Sequence, residues 1–256
     1  IFDAPMLYSG FENLLAVYGY TLQIYCDFSG YSDIAIGLSL LMGFRIPPNF
    51  LTTYKSQSIT EFWRRWHISL SSWLRDYLYI SLGGNRKGKI RTYVNLFLTM
   101  LIGGLWHGAS WKFVIWGGLH GTVLAIERFC KQYIKVPDNR FTRILCILLT
   151  FHFVSFCWIF FRADTFEIAN NVITNIGSIT FTPSKWLSVL DGYRNVFILV
   201  VIGYVMHFLP ENLVGKIKAG FNAIPLVGKA TIAAFVFWII FATASSGPQP
   251  FIYFQF

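Results

Sequence analysis

Charge is scarce in this chain. Of its 256 residues, 13% are charged, about half the share of roughly 25% usual in soluble domains. No acidic residue occurs in residues 92–126. The four cysteines, Cys26, Cys130, Cys146 and Cys157, form no CxxC pair and are scattered through apolar stretches. They read as small core residues and leave the redox compartment open. No GxSxG elbow, HExxH, GxGxxG or Walker sequence is present, which removes the usual support for soluble hydrolases, proteases, dehydrogenases and kinases. No stretch alternates as a half-buried strand would. Internal repeats, low-complexity tracts and a clear linker are also lacking.

What is abundant is apolar: 55% hydrophobic, 19% aromatic, with a mean hydropathy of +0.52. Residues 143–161 contain no acid, and residues 196–209 and 230–244 read similarly. A bilayer crossing needs about 20 apolar residues, and backbone groups in lipid must be satisfied internally. The expected fold is therefore an all-α integral membrane protein: one transmembrane bundle over 1–256, with amphipathic or re-entrant helices. Because the chain starts at Ile1, without an initiator methionine or signal-peptide pattern, N-terminal helices are expected to precede it. Residues 250–256 read as an aromatic interfacial terminus.

The formal charge is +9. In a membrane protein this points to cytoplasmic loops and anionic lipid, not nucleic acid. Residues 45–91 hold nine basic side chains against Glu61 and Asp76, and a second basic stretch runs from Arg128 through Lys131, Lys135 and Arg140 to Arg143. Both are expected to be cytoplasmic. Residues 11–44 predict two apolar helices broken near Ser29-Gly30, stopped at Arg45-Ile46-Pro47-Pro48. Residues 58–82 predict one amphipathic helix, opened by a Ser58/Glu61 capping box. Trp63, Trp66, Leu70, Trp73 and Tyr77 line its apolar face; Arg64, His67, Ser71 and Arg75 form a polar stripe. Residues 92–106 and 109–127 predict a hairpin, its first arm short of the bilayer thickness. Further helices are expected at 141–162, 194–210 and 228–246, with short surface helices between 163 and 193.

The hairpin turn, Gly103-Gly104-Leu105-Trp106-His107-Gly108-Ala109-Ser110-Trp111, holds the most informative residue. A polar ring in an apolar, membrane-length region is costly, and the glycines around it favour close helix approach. A neutral imidazole can take a proton from a hydroxyl while that oxygen attacks an acyl carbon. His107 is therefore either a proton-transfer group or a core histidine bonded to a carbonyl. His67 either assists His107 or is an interfacial histidine. His120 lies thirteen residues past His107, not at metal-pair spacing, so no metal site is supported; His152 and His207 read as structural. Asp27 and Asp33, with Tyr31, place carboxylates in apolar surroundings. They neutralise arginines from residues 58–82, hydrogen-bond tyrosines, or do acid–base work. The 83–91 turn either holds phosphates or follows from positive-inside topology.

Glu61-Phe62-Trp63-Arg64-Arg65-Trp66-His67-Ile68-Ser69-Leu70, Trp73-Leu74-Arg75-Asp76-Tyr77, Tyr25-Cys26-Asp27-Phe28-Ser29-Gly30-Tyr31-Ser32-Asp33, Gly83-Gly84-Asn85-Arg86 and Gly104–Trp111 occur in that chain. Together they resemble the bacterial, polysaccharide-modifying branch of the membrane-bound O-acyltransferases (MBOAT). The resemblance is dense over residues 20–130 and is to the C-terminal part of such proteins. It implies His107 as the catalytic histidine and His67 as a second one. Trp106, Asp27, Tyr31, Asp33, Arg64, Arg75 and Asp76 become candidates for the substrate tunnel. It implies no tightly bound cofactor and no metal. The donor would be an acyl thioester (acetyl-CoA or acyl-carrier phosphopantetheine) arriving from the cytoplasm. The acceptor would be extracytoplasmic: a partner protein with an SGNH-like, serine-esterase fold, or the polysaccharide itself. The expected location is the bacterial cytoplasmic membrane, in multi-pass form. The competing readings are a polytopic transporter or channel and a non-catalytic scaffold of a polysaccharide synthase.

Overall fold

The computed structural model describes residues 1–243. Among them every regular element is helical. The expected interfacial terminus at 250–256, and the last residues of the helix expected over 228–246, lie outside the described residues.

Helix α1 (Gly10–Leu41) is one continuous helix of 32 residues, about 48 Å at 1.5 Å per residue. This corrects the expected break at Ser29-Gly30. A Cβ on Gly30 would meet nothing within 4 Å, so no neighbour uses the glycine for close approach. The helix starts on a full capping box: Ser9 accepts from the Glu12 N–H, and the Glu12 carboxylate accepts from the Ser9 N–H at 2.8 Å.

The expected single helix over 58–82 is in fact three pieces. Helix α2 (Ile59–Arg65) ends at Trp66, helix α3 (Ile68–Trp73) starts after His67, and Leu74–Tyr79 continues as a π-helix. Only half of the expected capping box forms. Ser58 accepts from the Glu61 N–H, but the Glu61 carboxylate reaches back to the Gln57 N–H at 2.8 Å. The break divides the expected apolar face. Trp63, Trp66 and Leu70 are buried, whereas Trp73 and Tyr77 are exposed and stack on each other, ring centroids 5.6 Å apart.

Helices α4 (Lys89–Trp106) and α5 (Trp111–Tyr133) form the hairpin. Both arms are longer than expected; α4 runs to about 27 Å. They touch backbone to backbone. A Cβ on Gly104 would lie 2.3 Å from the Phe113 carbonyl oxygen, and one on Gly117 2.4 Å from that of Met100. One turn further on, Gly121 meets the Phe97 backbone the same way.

Helix α6 (Arg140–Arg162) is, among the described residues, the one helix long and apolar enough on its own to cross a bilayer. Two bent pairs reach that standard only together. These are α8 (Pro183–Gly192) with α9 (Arg194–Phe208), bent by 88°, and α10 (Glu211–Ala223) with α11 (Leu226–Thr243), bent by 115°. The apolar helices expected at 11–44 and 92–127 do not meet it. Helix α1 carries Glu12, Asp27 and Asp33; α4 opens on Lys89 and Arg91 and buries Thr92, Asn95 and Thr99. Helix α7 (Phe166–Gly177) and α8 are the short helices expected between 163 and 193.

The core lies where α1, α2, α5 and α6 meet. Trp66, Trp116, Trp158, Tyr54, Phe62 and Phe161 are its largest fully buried side chains. Edge-on and tilted ring contacts connect them, as at Trp66–Trp158 (5.0 Å) and Trp116–Phe161 (5.5 Å).

Overpacking the hairpin seam tests this arrangement. Gly117→Ala is expected to cost about 1–3 kcal/mol and to lower the thermal midpoint of the detergent-solubilised protein. Gly37→Ala on the open face of α1 is expected to be neutral or slightly stabilising. Equal midpoints for the two variants would contradict the seam.

Candidate active site

His67 is placed by the helix break. Its backbone is left-handed, φ 44° and ψ 56°, a conformation that non-glycine residues rarely adopt and that costs on the order of 1 kcal/mol or more. Interrupting a helix also frees backbone groups that must find partners. A strap, residues 49–56, supplies them. The Leu51 N–H and the Thr53 hydroxyl both donate to the Arg65 carbonyl at 3.0 Å, and the Ile68 N–H donates to the Asn49 carbonyl at 3.0 Å. The Asn49 side-chain oxygen accepts from both the N–H and the hydroxyl of Ser69. The strap carries a left-handed residue of its own, Thr52, whose hydroxyl accepts from Arg65 Nη1 at 3.2 Å.

The turned-in His67 ring meets the edge of Phe28 on α1 at 4.7 Å. Its Nδ1 lies 3.3 Å from Ser69 Oγ. The single Ser69 hydroxyl proton goes to Asn49, so Nδ1–H is the donor in that contact. The neutral ring then carries its proton on Nδ1.

His107 caps the C-terminus of α4, its N–H bonded to the Gly104 carbonyl at 3.0 Å. Gly108 follows with φ 154°; a Cβ there would lie 2.8 Å from the Phe113 ring, so the turn needs glycine. Four aromatic rings surround the half-buried imidazole: Trp106 at 5.0 Å, Phe161 at 5.1 Å, Trp116 at 5.2 Å and Phe113 at 6.0 Å. Phe161 comes from α6, so three helices build the box. Trp106, 57% exposed, and Trp111, 76% exposed, flank it on the outside. Burial, and after it the nearby His67, disfavour a charge on His107, which places the two rings within electrostatic reach. The fold thus brings together two histidines forty residues apart in sequence.

The other candidates separate. Asp27 is half-buried on α1 beside Phe28, and Tyr31 is exposed one turn on. Asp33 and Arg64 are exposed. Arg75 binds its chain neighbour Asp76 at 2.7 Å, both exposed. Arg65 pairs with Glu61 at 2.7 Å, one turn away on α2. Arg65 and Arg75 thus each pair with a carboxylate of their own segment. The 83–91 turn is mostly exposed and closes on its own chain, Gly84 accepting from Asn95 Nδ2 at 3.0 Å.

Sequence reasoning missed His120. It is fully buried among Trp63, Trp116, Phe62 and Phe153. The Trp63 indole donates to its Nδ1 at 3.3 Å, so the neutral ring carries its proton on Nε2. The available signal was the spacing of Trp116 and His120, one helical turn apart on the face that meets α2 and α6. His207, read as structural and unconnected, accepts from the Tyr54 N–H in the strap. An apolar cavity of about 760 Å³ lies between α1, α6 and α9, lined by Tyr18, Phe151, His152 and Tyr204 among others; neither His67 nor His107 lines it.

Residues 4–168 match the sequence model of the membrane-bound O-acyltransferase family, MBOAT. The chain belongs to that family. It is 59% identical over 155 residues to the probable alginate O-acetylase of Pseudomonas putida, covering 60% of this chain and 31% of that protein. It is 46% identical over 219 residues to the probable alginate O-acetylase of Azotobacter vinelandii, covering 81% and 42%. It is 45% identical over 172 residues to the peptidoglycan O-acetyltransferase of Helicobacter pylori, covering 67% and 33%. The matched segments thus span between 31% and 42% of the length of these relatives. Within the MBOAT match lie both histidines, the strap and helices α1 to α6.

Removing one donor tests the wall behind His107. Trp63→Phe keeps the ring but leaves His120 Nδ1 buried without its hydrogen bond. The expected loss is about 1–3 kcal/mol, read as a lower thermal midpoint. A midpoint equal to wild type would mean that the Trp63–His120 bond carries no stability.

Proposed function

We propose that the protein is a membrane O-acyltransferase that moves an acetyl group from a cytoplasmic thioester to an extracytoplasmic hydroxyl, in the O-acetylation of a cell-surface polysaccharide. The observation that carries this reading is the pairing of His107, in its aromatic box, with His67 on the strained helix break. Family membership and the names of the relatives, two alginate O-acetylases and a peptidoglycan O-acetyltransferase, support acetyl as the group and a glycan as the final acceptor.

The chemistry follows from the residues. Neutral His107 accepts the proton of the acceptor hydroxyl as its oxygen attacks the thioester carbonyl. The tetrahedral intermediate collapses by breaking the C–S bond. The thiolate leaves and takes up the proton held on the imidazolium, so the histidine returns to its neutral state. His67, by hydrogen bonding, orients the acceptor or stabilises the developing oxyanion. The aromatic walls exclude water, which limits hydrolysis of the thioester.

The direction of transfer rests on charge. Lys89 and Arg91 at the start of α4, Arg128 and Lys131 at the end of α5, and Arg140 and Arg143 at the start of α6 share the end of the hairpin opposite His107. Basic flanks favour the cytoplasmic side. His107 then faces away from it. The acceptor is a glycan or an SGNH-like partner that carries the acetyl group onward.

His107→Ala is expected to lower acetyl transfer about 10²–10⁴-fold while the protein still inserts and folds. The measurement is the ester content of cell-surface glycans, by mass spectrometry, in cells carrying the full-length variant. Wild-type ester content in that variant would refute the reading. A transporter or scaffold would also fail to show thioester-dependent transfer in purified membranes.

A further inference from the structure

The strap that holds His67 is itself held from a distance. Tyr54 is buried at 2% exposure, and its N–H donates to His207 Nε2 on the last turn of α9 at 3.1 Å. The next residue, Lys55, extends its Nζ to the Leu209 carbonyl at 2.6 Å, just past the end of the same helix. A cation at a helix C-terminus is favourably placed there. The His207 ring is locked by the edge of Tyr25 at 4.5 Å and by Tyr54 at 5.3 Å. Helix α9 lies beyond residues 4–168, the part that matches the acyltransferase family.

Few bonds separate this contact from the site. Thr53, next to Tyr54, donates its hydroxyl to the Arg65 carbonyl, and Leu51 donates its N–H to the same oxygen. Two residues after Arg65 stands His67 in its left-handed conformation. That conformation is unfavourable in isolation and persists only where the surroundings over-determine it. The Arg65 carbonyl and the Ile68 N–H, on either side of His67, are held by the strap; the strap is held by His207 and the Leu209 carbonyl on one side and by the Thr21 carbonyl, which accepts from the Tyr54 hydroxyl at 2.6 Å, on the other.

We propose that His207 is a positioning residue for His67, holding the strap by accepting the Tyr54 N–H, so that the C-terminal helix α9 sets the geometry of the acyl-transfer site. The part of the inference that concerns turnover rests on the proposed function above. His207 touches neither His67 nor His107 in any of these contacts; it acts through the 51–54 backbone. Its role needs a bare Nε2, which a glutamine amide oxygen can replace and a leucine cannot.

The experiment uses the full-length protein in membranes. Three variants are compared with wild type: His207→Leu, His207→Gln and Lys55→Met. Two readouts are taken per folded molecule. One is acyl-transfer turnover, with KM for the thioester donor; the other is the rate at which diethyl pyrocarbonate modifies His67, followed by peptide mass spectrometry. His207→Leu is expected to lower kcat about tenfold with KM unchanged, as a displaced but intact group does. It is also expected to change the His67 modification rate. His207→Gln is expected to recover most of both. Lys55→Met moves both readouts in the direction of His207→Leu and carries the test if that variant does not accumulate.

In a His67→Ala background, His207→Leu is expected to have no further effect on kcat. A purely structural role would lower the yield of folded protein but leave these per-molecule readouts and the glutamine rescue unaffected. Wild-type kcat and wild-type His67 reactivity in His207→Leu would overturn the inference, as would a glutamine variant as impaired as the leucine one. If wild type itself transfers no acyl group, the proposed function fails. The His67 modification rates then decide this inference alone.

Discussion

The site depends on what happens to the backbone where a helix is interrupted. At Trp66 and His67 the chain leaves the α conformation. The Arg65 carbonyl and the Ile68 N–H would be costly to bury unbonded, more so in an apolar protein where water is not at hand. The strap at residues 49–56 accepts that role with Asn49, Leu51 and Thr53. In return, His67 can hold a left-handed backbone and turn its ring toward α1 and the hairpin. Without the strap, residues 58–73 would be expected to continue as one amphipathic helix, with His67 on its polar stripe.

The second device is the glycine seam. Gly104, Gly117 and Gly121 let α4 and α5 approach at backbone distance, a packing mode suited to helices that gain little hydrophobic driving force from association in lipid. The seam fixes the turn, and the turn fixes His107. Phe161 of α6 then closes the box from a third helix. Strain at one histidine and close packing at the other are separate solutions to one problem: holding a polar ring still among apolar neighbours.

Much of this was legible in sequence, and the reasons differ by element. Glycine and tryptophan around His107 announced a close turn, because few other arrangements use three glycines beside an imidazole. Helix α6 was legible because nineteen residues without an acid have few other uses. The break at His67 was hidden: neither glycine nor proline marks it, and Trp63, Trp66 and Leu70 keep helical spacing across it. It arises from tertiary hydrogen bonds with a segment that, by itself, reads only as a proline-flanked loop. The opposite error occurred at Gly30, where a glycine suggested a break that the continuous α1 does not show. Asp33, Arg64, Arg75 and Asp76 carried the family resemblance, yet they sit at the surface of the described residues, because a motif identifies a segment without saying which of its side chains turn inward. His207 looked like an isolated structural histidine, and His120 was weighed only as a metal ligand. Only the fold shows that each accepts a hydrogen bond from a segment bearing on the two central ones.

The most direct test of the account is the structure of the full-length protein bound to a non-hydrolysable thioether analogue of the acyl donor. The account places the analogue's carbonyl beside the His107 ring, with His67 on the same side. An analogue seated instead in the apolar cavity between α1, α6 and α9, with His107 contacting only protein, would contradict it.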